Sequence, residues 1–393
     1  MSPPIVVASL ALAALGLAVS SVSRMLVWSV VRHRPEGELR DDEVSILKPL
    51  CGVDASLSDN LQAFSQQSHS NLSIIFGVAD ADDEALPVAQ RFCREHEALA
   101  TRISIGETAC HNPKVALLAH MSRFSRGEWV VVSDSNVRVS EAYVRDALSH
   151  AAPDVGLVTH LVAGRGGGSL AAYLENLQLN CFVVAGVCGV RFIAGQTCVI
   201  GKSMFLRRDV LEAIGGFEAA GGYLAEDYVI GRAVLEAGHR VVTARMPVPT
   251  WNEGWTFTRF VSRHLRWAVM RRQVSRLAYA MEILLMPGPL LGLVLVLALC
   301  FPEIDVDPRW IGAWLVFDQA LDYATHSCMT GKPAPLVAVL LNPIRQWLTL
   351  AIWALGWFVQ TVEWRGKTYR VGSGSRLRAV TPLSPASTTS VPR

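Results

Sequence analysis

The strongest constraint in this sequence is a pair of long apolar regions at its two ends. Residues 5–22, IVVASLALAALGLAVSSV, are uncharged, and residues 279–363 are again strongly apolar. An uncharged run of about 18 residues is long enough to cross a bilayer as a helix. Hydrophobic residues make up 51% of the chain and charged residues 18%, a balance typical of a membrane protein. The sequence therefore predicts an integral membrane protein with a more polar domain between its apolar ends.

The N-terminal run is interpreted as an uncleaved anchor. No basic residue precedes it, whereas a secretory signal peptide begins with a positively charged region. The competing signal-peptide interpretation depends on AVS before Ser21, which resembles a cleavage site. Arg24, Arg32 and Arg34 follow the run, and positive charge on that side places the following domain in the cytosol. The Ala- and Arg-rich composition is typical of bacterial proteins, so the expected location is a bacterial inner membrane.

The C-terminal apolar region contains three segments. LLMPGPLLGLVLVLALC is long enough to span, RWIGAWLVFDQAL is short and amphipathic, as at an interface, and NPIRQ within residues 335–363 predicts a broken helix. The basic tail indicates a cytosolic end and therefore an even number of crossings, here two. Residues 379–393, rich in Ser, Thr and Pro, are predicted to be disordered. The predicted domains are a membrane anchor at 1–32, a cytosolic domain at 33–275, membrane or interfacial helices at 276–363 and a basic cytosolic tail at 364–393.

Between about residues 44 and 250, short apolar runs alternate with amphipathic stretches. VSILKPL, LSIIFGVAD, RISIG, WVVVSDSNV and VGLVTHLV are typical of buried strands, and LPVAQRFCREHEAL and VALLAHMSRF of helices between them. This alternation predicts an α/β domain with a mostly parallel sheet and helices on both faces. Ligands of such domains bind beyond the carboxyl ends of the strands.

Acidic residues follow two of these strands. Asp80, Asp82 and Asp83 come after LSIIFGV, and Asp134 comes after WVVVS. One carboxylate together with substrate phosphates is a usual way to hold Mg²⁺ or Mn²⁺. Helix capping for the first group and an ordinary turn for Asp134 are the alternatives that the residues leave open.

The segment HNPKVALL predicts a helix start with an unusual charge. Asn112 is suited to cap the helix and Pro113 to its first turn, so Lys114 also lies in the first turn. The helix dipole disfavours a cation there. A diphosphate bound nearby would explain the lysine, and a solvated side chain is the alternative.

Two further groups of charged residues are candidates for chemistry. Glu226 and Asp227, in GGYLAEDYVIGRAV, lie at a predicted helix start, where they serve either as capping residues or as a base. Arg263 and Arg266, in SRHLRWAVMRR, are three residues apart and would share a helix face that can clamp a phosphate. Contact with anionic lipid headgroups is the alternative for these arginines.

Taken together, these motifs resemble the ceramide glucosyltransferase family. SILKPLCGVD, VADADD, NPK, SDSNVRV, LAEDY and RHLRW occur in the order and at the approximate spacing of that family, and DYATHS, NPIRQW and WRGKTYRVGSG resemble its C-terminal region. The resemblance covers residues 44–375. It implies a membrane-bound inverting enzyme whose α/β domain has the GT-A nucleotide-sugar-binding fold.

The resemblance also implies roles for single positions. Asp83 matches the family's first essential aspartate, near the nucleotide, and Asp134 the second, which holds the divalent metal on the UDP diphosphate. Asp227 matches the third, the general base, with Glu226 as a helper or substrate ligand. Asn136 stands where an ordinary DxD motif has its second acid. The expected donor-binding residues are Asp80, Asp83, Asn112, Lys114, Asp134, Arg263, Arg266 and Trp267.

The expected reaction is inverting transfer of glucose from UDP-glucose to the primary hydroxyl of ceramide, with Mg²⁺ or Mn²⁺ as cofactor and the bilayer as the source of the acceptor. One alternative is a hopanoid-associated or other glycolipid synthase that uses UDP-N-acetylglucosamine. An alternative of another class is a non-catalytic membrane scaffold that binds nucleotide sugar. The net charge of +2 gives no indication of a nucleic-acid partner.

Overall fold

The polar middle of the chain folds around a seven-stranded sheet. The computed structural model describes residues 3–33, 40–195, 197–301, 307–364 and 367–380. The strands run in the spatial order β3-β2-β1-β4-β6-β5-β7, and β6 alone is antiparallel to its neighbours β4 and β5. The predicted mostly parallel sheet is therefore confirmed. The strands are β1 (Val44–Pro49), β2 (Leu72–Val78), β3 (Ala100–Ile105), β4 (Trp129–Ser133), β5 (Val155–Arg165), β6 (Ser203–Arg207) and β7 (Arg240–Trp251).

Both faces of this sheet are covered by helices. Successive side chains of a strand point to opposite faces, so Ile46 of β1 lies in one core and Leu47 in the other. Burial on both faces explains why the central strands read as continuous apolar runs. The helices of this domain are α2 (Leu57–Gln62), α3 (Ala85–Glu95), α4 (Pro113–Ser122), α5 (Tyr143–Leu148), α8 (Arg208–Ala213), α9 (Glu226–Glu236) and α10 (Phe257–Val274).

A long apolar helical segment interrupts the domain after β5. It consists of α6 (Leu170–Leu177), a π-helical turn (Gln178–Val183) and α7 (Val184–Ala194). Residues Leu170–Ile193 have the length and composition of a membrane span. The sequence analysis did not predict this helix. Its apolar character is masked by interspersed polar residues, of which Asn180 is buried and bonds both the N–H and the carbonyl of Gly164.

The remaining helices come from the two ends of the chain and form one bundle. They are α1 (Pro3–Arg32), α11 (Arg276–Met281), α12 (Pro287–Cys300), α13 (Pro308–Thr330) and α14 (Leu336–Gly356). By length and composition, Val7–Arg32 and Leu336–Gly356 could each cross a membrane, and the segments Arg276–Leu285 and Pro287–Cys300 could do so as one span bent by 61°.

Two expectations for this bundle are wrong. The segment predicted to be short lies in α13, a helix of 23 residues that packs against α1 and α12; its interfacial position stays a prediction. The predicted break at NPIRQ is absent, because α14 continues through Pro343. A proline removes the N–H that would bond the carbonyl four residues earlier. Here that carbonyl, of Val339, accepts a hydrogen bond of 2.8 Å from Tyr323 Oη instead.

A buried ion cluster joins α1, α13 and α14. Arg24 Nη2 lies 3.0 Å from Asp318 Oδ1 and 2.7 Å from Asp322 Oδ1. Arg345 Nη2 lies 2.7 Å from Asp322 Oδ2. Charged side chains at membrane depth face the interior of a bundle and pair there. This pairing explains how α13 can carry two fully buried aspartates.

A small three-stranded sheet follows the bundle and packs against the loop before α9. Its strands are β8 (Thr361–Trp364), β9 (Lys367–Val371) and β10 (Leu377–Ala379). Between β9 and β10, the carbonyl of Ser375 accepts the N–H of Leu224, and its Oγ accepts the N–H of Ala225. These bonds hold the loop that begins α9. Residues from 381 on, most of the segment predicted to be disordered, lie outside the described residues.

Candidate active site

The predicted acidic and basic residues converge at the carboxyl edge of the sheet. Asp134 directly follows β4, and Glu226 and Asp227 are the first residues of α9. Lys114 lies in the first turn of α4. Lys202, which the sequence analysis did not single out, directly precedes β6. These elements bring three carboxylates and several cations into one cluster.

Lys114 is the link between two of the carboxylates. Its Nζ lies 2.9 Å from Asp134 Oδ1 and 3.1 Å from Glu226 Oε1. It also donates to the carbonyl of Gly201 at 2.8 Å. Burial alone would lower the pKa of Lys114, but the charges of Asp134 and Glu226 raise it above its ordinary value. Lys114 is therefore a fixed cation whose three hydrogen-bond donors are all engaged.

Two further buried lysines contact the same turn. Lys202 Nζ donates to Asn136 Oδ1 at 2.7 Å and lies 3.4 Å from Asp134 Oδ2. Lys48 Nζ, from within β1, donates to the main-chain carbonyl of Asp134 at 2.7 Å and to Ser133 Oγ at 3.3 Å. Burial lowers the pKa of Lys202 to about 8 and that of Lys48 to about 7. The turn after β4 is thus surrounded by the amino groups of three lysines.

These cations determine the ionisation of Asp134. Burial would raise the pKa of its carboxyl, but Lys114 and Lys202 hold that pKa well below its ordinary range. Asp134 is consequently an anion at every physiological pH. Its side chain keeps 26% of its surface exposed, so the cluster opens to solvent at this carboxylate.

Asp227 has the opposite environment. Its Oδ2 accepts the N–H of Gly201 and its Oδ1 accepts the N–H of Tyr228, both at 2.8 Å. Burial, and then the neighbouring charge of Glu226, raise the pKa of Asp227 to about 6. A carboxyl group with a pKa near the working pH is suited to general-base catalysis. The close contact with Gly201 leaves little room for a side chain there, because a Cβ would lie 3.0 Å from Asp227 Oδ2.

Asn112 connects the start of α4 with the start of α9. Its Oδ1 accepts the N–H groups of Lys114 and Val115, which confirms the predicted helix cap. Its Nδ2 donates to the carbonyl of Tyr223 at 2.8 Å and to Glu226 Oε2 at 3.4 Å. The buried Asn112 side chain therefore positions both Lys114 and Glu226.

Helix α10 presents the predicted arginines. Arg263 is held by the fully buried Glu175 of α6, whose Oε1 lies 3.1 Å from Arg263 Nη1. The second oxygen of Glu175 lies 2.7 Å from His264 Nε2. The Arg263 guanidinium lies 4.5 Å from the centre of the Trp267 ring and 5.1 Å from that of Trp255. This arrangement fixes Arg263 by charge pairing and by cation–π contact.

Arg266 lies within the electrostatic influence of Glu226 without pairing with it. Burial and the charge of Arg263 lower the pKa of Arg266 to about 10, and the charge of Glu226 opposes that shift. Within the described part of the chain, the Arg266 guanidinium makes no ion pair within 4.0 Å. Its donors are available to an anionic ligand.

Asp80 and Asp83 lie on the neighbouring loop after β2. Asp83 Oδ1 accepts the N–H of Gly52, in the loop after β1, and the N–H of Ala85, the first residue of α3, both at 2.9 Å. Asp83 thus joins two loops of the same sheet edge. Asp80 is exposed, and its carbonyl accepts the N–H of Asp83. The expected contact of both carboxylates with a nucleotide stays a prediction.

The site offers one carboxylate to a divalent cation. The described residues contain no group of three His, Cys, Asp or Glu side chains able to hold a metal. Asp134, whose side chain is partly exposed, is suited to be the single protein ligand of such a cation. Mg²⁺ bound at substrate phosphates typically has one or two carboxylates and several waters as its other ligands. The residues therefore fit a cation that arrives with a diphosphate, with Asp134 as its protein ligand.

Sequence reasoning missed Lys48, Lys202 and Glu175. Each is a charged residue in an otherwise apolar or small-residue stretch: Lys48 in VSILKPL, Lys202 in VIGKSMF and Glu175 in AAYLENLQL. A charge in such a place requires a buried partner, and this was the available signal. The identity of the partner depends on contacts 66 or more residues distant in the chain, such as Lys202 with Asn136 and Lys48 with Ser133.

Comparison with known proteins agrees with this geometry. The sequence profile described as glycosyl transferase family 21 matches residues 7–377. Ceramide glucosyltransferase 3 of Caenorhabditis elegans is 24% identical over 375 residues, which cover 90% of this chain and 79% of that protein. Ceramide glucosyltransferase 1 of the same organism is 24% identical over 367 residues, 89% of this chain and 77% of that protein.

A solved structure with a similar arrangement is the mannosyltransferase PcManGT from Pyrobaculum calidifontis in complex with GDP-Man and Mn²⁺. It is 16% identical, with a TM-score of 0.48, and the match covers 88% of this chain and 97% of that one. The family profile extends over nearly the whole chain, including the sheet edge that holds Asp134, Asp227 and Arg266. The chain belongs to glycosyl transferase family 21, and three of its described helices are long and apolar enough to cross a membrane.

Proposed function

We propose that this protein transfers glucose from UDP-glucose to the primary hydroxyl of ceramide with inversion, giving glucosylceramide. The observation that carries the proposal is the pairing of one carboxyl group of raised pKa, Asp227, with a cluster of cations around Asp134. Inverting transfer needs a base for the acceptor hydroxyl and positive charge for the departing diphosphate. Ceramide as acceptor and glucose as donor sugar are supported by the names of the two nematode relatives.

Asp227 is the base in this mechanism. In its ionised form, one of its oxygens takes the proton of the acceptor hydroxyl as that hydroxyl attacks the anomeric carbon. The two backbone N–H groups of Gly201 and Tyr228 orient the carboxylate. Glu226, paired with Lys114, lies beside it, and its charge helps keep the pKa of Asp227 high. A substrate contact for Glu226 is part of the same proposal.

The donor diphosphate binds where the cations meet. Arg266 supplies free guanidinium donors, and Arg263 and Trp267 form the wall of α10 beside it. Asp134 is the residue that would hold Mg²⁺ or Mn²⁺, an ion that neutralises charge on a departing diphosphate when bound. Lys114 keeps Asp134 oriented toward the opening of the site. The proposed donor-binding residues also include Asp80, Asp83 and Asn112. Of these, Asn112 acts by positioning Lys114.

The acceptor reaches the site from the bilayer. Helices α6, α10 and α14 pack together through Ala171, Phe260 and Ile352, so the helix that carries Arg263 and Arg266 lies against two candidate membrane spans. Near the end of α14, Phe358 is 82% exposed and Leu355 is 51% exposed. An exposed apolar surface of this kind is suited to a membrane interface. As part of the same proposal, the catalytic domain faces the cytosol of a bacterial cell at the inner membrane.

A transfer assay with purified protein in detergent tests this function. UDP-glucose and UDP-N-acetylglucosamine are each offered with ceramide and with a hopanoid polyol, and the products are identified by mass spectrometry. Glucosylceramide is the expected product. An N-acetylglucosaminyl hopanoid would contradict the donor and acceptor and support the alternative glycolipid synthase. UDP-sugar binding without product from any pair would contradict both of these reactions and leave either an untested acceptor or a scaffold.

The pH dependence of transfer is expected to follow the ionisation of Asp227. A base must be unprotonated, so kcat/KM for the acceptor should rise about tenfold per pH unit below pH ~6 and level off above it, because the pKa of Asp227 is raised to about 6. The profile is measured from pH 4.5 to 8 at saturating donor. A rate that is constant from pH 5 to 8 would contradict an Asp227 base with this pKa.

Glu175→Gln is expected to weaken donor binding without changing the fold. The substitution keeps the shape of the side chain and removes the charge that holds Arg263 and His264. Hydrogen bonds to charged groups contribute about 1.5–3 kcal/mol, so KM for the donor should rise about 10-fold while kcat changes less. Steady-state kinetics and thermal unfolding are measured together, with Glu175→Asp as the charge-retaining control. Unchanged donor KM in Glu175→Gln would show that Arg263 does not depend on this carboxylate.

A further inference from the structure

Lys202 differs from the other two lysines of the site in how its donors are used. An ammonium group has three N–H donors. Lys114 directs all three to Asp134, Glu226 and the carbonyl of Gly201. Lys202 donates to Asn136 Oδ1 and Asp134 Oδ2, and among the described residues it has no third partner. It therefore retains one donor at the point where the Asp134 carboxylate is exposed.

Lys48 has no such free donor facing the opening. Its Nζ bonds the carbonyl of Asp134 and Ser133 Oγ and lies 4.1 Å from the centre of the Phe64 ring. It stabilises the turn from behind, on the core side. Lys202 is the lysine that occupies the gap between the side-chain oxygens of Asp134 and Asn136.

The position of Lys202 is fixed by the backbone as well. Its carbonyl accepts the N–H of Asp134 at 3.4 Å, where antiparallel β6 begins to pair with β4. The side chain is 11% exposed, so its ammonium is held rather than free to move into solvent. A cation with a fixed position and an open donor needs little reorganisation to bind an anion.

The neutral side chain at position 136 determines which charges lie beside Asp134. An aspartate there would place a second carboxylate two residues after Asp134 and could complete a metal site with two acids. With Asn136, the second oxygen is an amide carbonyl, and Lys202 bonds it at 2.7 Å. The positive charge between the two oxygens is thus part of the protein itself.

We propose that Lys202 is a diphosphate-binding residue. Its ammonium group, held by Asn136, supplies the positive charge that a bound metal ion would supply if position 136 were a second acidic ligand. The inference depends on the proposed function, because it assumes a nucleotide-diphosphate donor. Lys202 donates its free N–H to an oxygen of the diphosphate and stabilises the charge that develops when the glycosidic bond to that diphosphate breaks. Part of the affinity for UDP consequently needs no divalent cation.

Binding of UDP to the purified full chain in detergent, measured by calorimetry in EDTA, tests this inference. The wild type should bind UDP under these conditions. Lys202→Met should bind it about 10–100-fold more weakly, the range expected for loss of a hydrogen bond to a charged group. Lys332→Met, at an exposed lysine outside the site, is the matched control and should bind as the wild type does. Thermal unfolding of each variant shows that it is folded.

The double variant Asn136→Asp/Lys202→Met tests the exchange of an ammonium for a metal. This variant should bind UDP weakly in EDTA and regain affinity for UDP when Mn²⁺ replaces the EDTA. In the absence of nucleotide it should also bind Mn²⁺ more tightly than the wild type does, as measured by electron paramagnetic resonance. Equal UDP affinity of folded wild type and Lys202→Met in EDTA would overturn the inference and leave the proposed function intact. A wild type that binds no UDP with or without Mn²⁺ would instead contradict the proposed function and the inference with it.

Discussion

Asp227→Asn is expected to lower the rate of sugar transfer by about 10²–10⁴-fold, the usual contribution of a general base. The asparagine keeps the size of the side chain and can still accept a hydrogen bond from the N–H of Gly201 or Tyr228. It cannot take a proton from the acceptor hydroxyl. Affinity for UDP should change little, because the diphosphate contacts cations elsewhere in the site. Transfer is measured with saturating donor and acceptor, and UDP affinity by calorimetry.

Stability separates this effect from misfolding. The raised pKa of Asp227 means that the folded state disfavours its ionised form. Stability is therefore lost as pH rises from the ordinary pKa of 3.8 to about 6, and the loss stays constant at higher pH. Replacement by a neutral residue should therefore not lower the unfolding temperature at pH 7.5. Asp209→Asn is a matched control, since Asp209 also lies in a first turn and bonds the N–H of the next residue, but its side chain is exposed on α8. Near-normal turnover in Asp227→Asn would rule out Asp227 as the base.

Lys114→Met is expected to be the most destabilising single change in the site. Removal of the ammonium leaves Asp134 and Glu226 without their shared partner, at distances that are now 2.9 and 3.1 Å. Loss of one member of a buried ion pair typically costs about 3–5 kcal/mol of unfolding free energy, because the remaining charge is uncompensated. Stability is measured by denaturant unfolding in detergent, followed by the tryptophan fluorescence of the catalytic domain.

A double variant distinguishes charge from packing in that result. In Lys114→Met/Glu226→Gln one of the two stranded carboxylates is removed, so part of the lost stability should return. Both variants should transfer sugar poorly, because Lys114 positions Asp134 and the start of α9. A Lys114→Met protein within about 0.5 kcal/mol of the wild type, the range of ordinary surface substitutions, would contradict the central place of Lys114 in the cluster.

The sequence was sufficient for those parts of the fold that depend on local pattern. The continuous apolar strands VSILKPL and WVVVS predicted β1 and β4 because a strand buried on both faces has no polar alternation. Asn112 was predicted as a cap because an Asn followed by Pro is typical of a helix start. Its side chain accepts the N–H groups of the residues two and three positions later. The position of Asp134 followed from the end of β4.

Features that depend on distant contacts could not be predicted in this way. Lys202 meets Asn136 only because antiparallel β6 inserts between β4 and β5. Pro343 is tolerated within α14 because Tyr323 bonds the carbonyl that the proline leaves free. Glu175 is acceptable in an apolar helix because Arg263 and His264 lie against it. In each case the bonded partner is at least 16 residues away in the chain, so no local pattern records it.

The anomeric configuration of the product tests the central claim most directly. Purified protein is given UDP-α-glucose and ceramide, and the linkage of the glucolipid product is determined by proton NMR. Direct attack by a hydroxyl that Asp227 deprotonates inverts the anomeric carbon, so the account predicts the β-linked product from the wild type and its loss in Asp227→Asn. An α-linked product would mean retention of configuration, and it would contradict the assignment of Asp227 as the base of a single displacement.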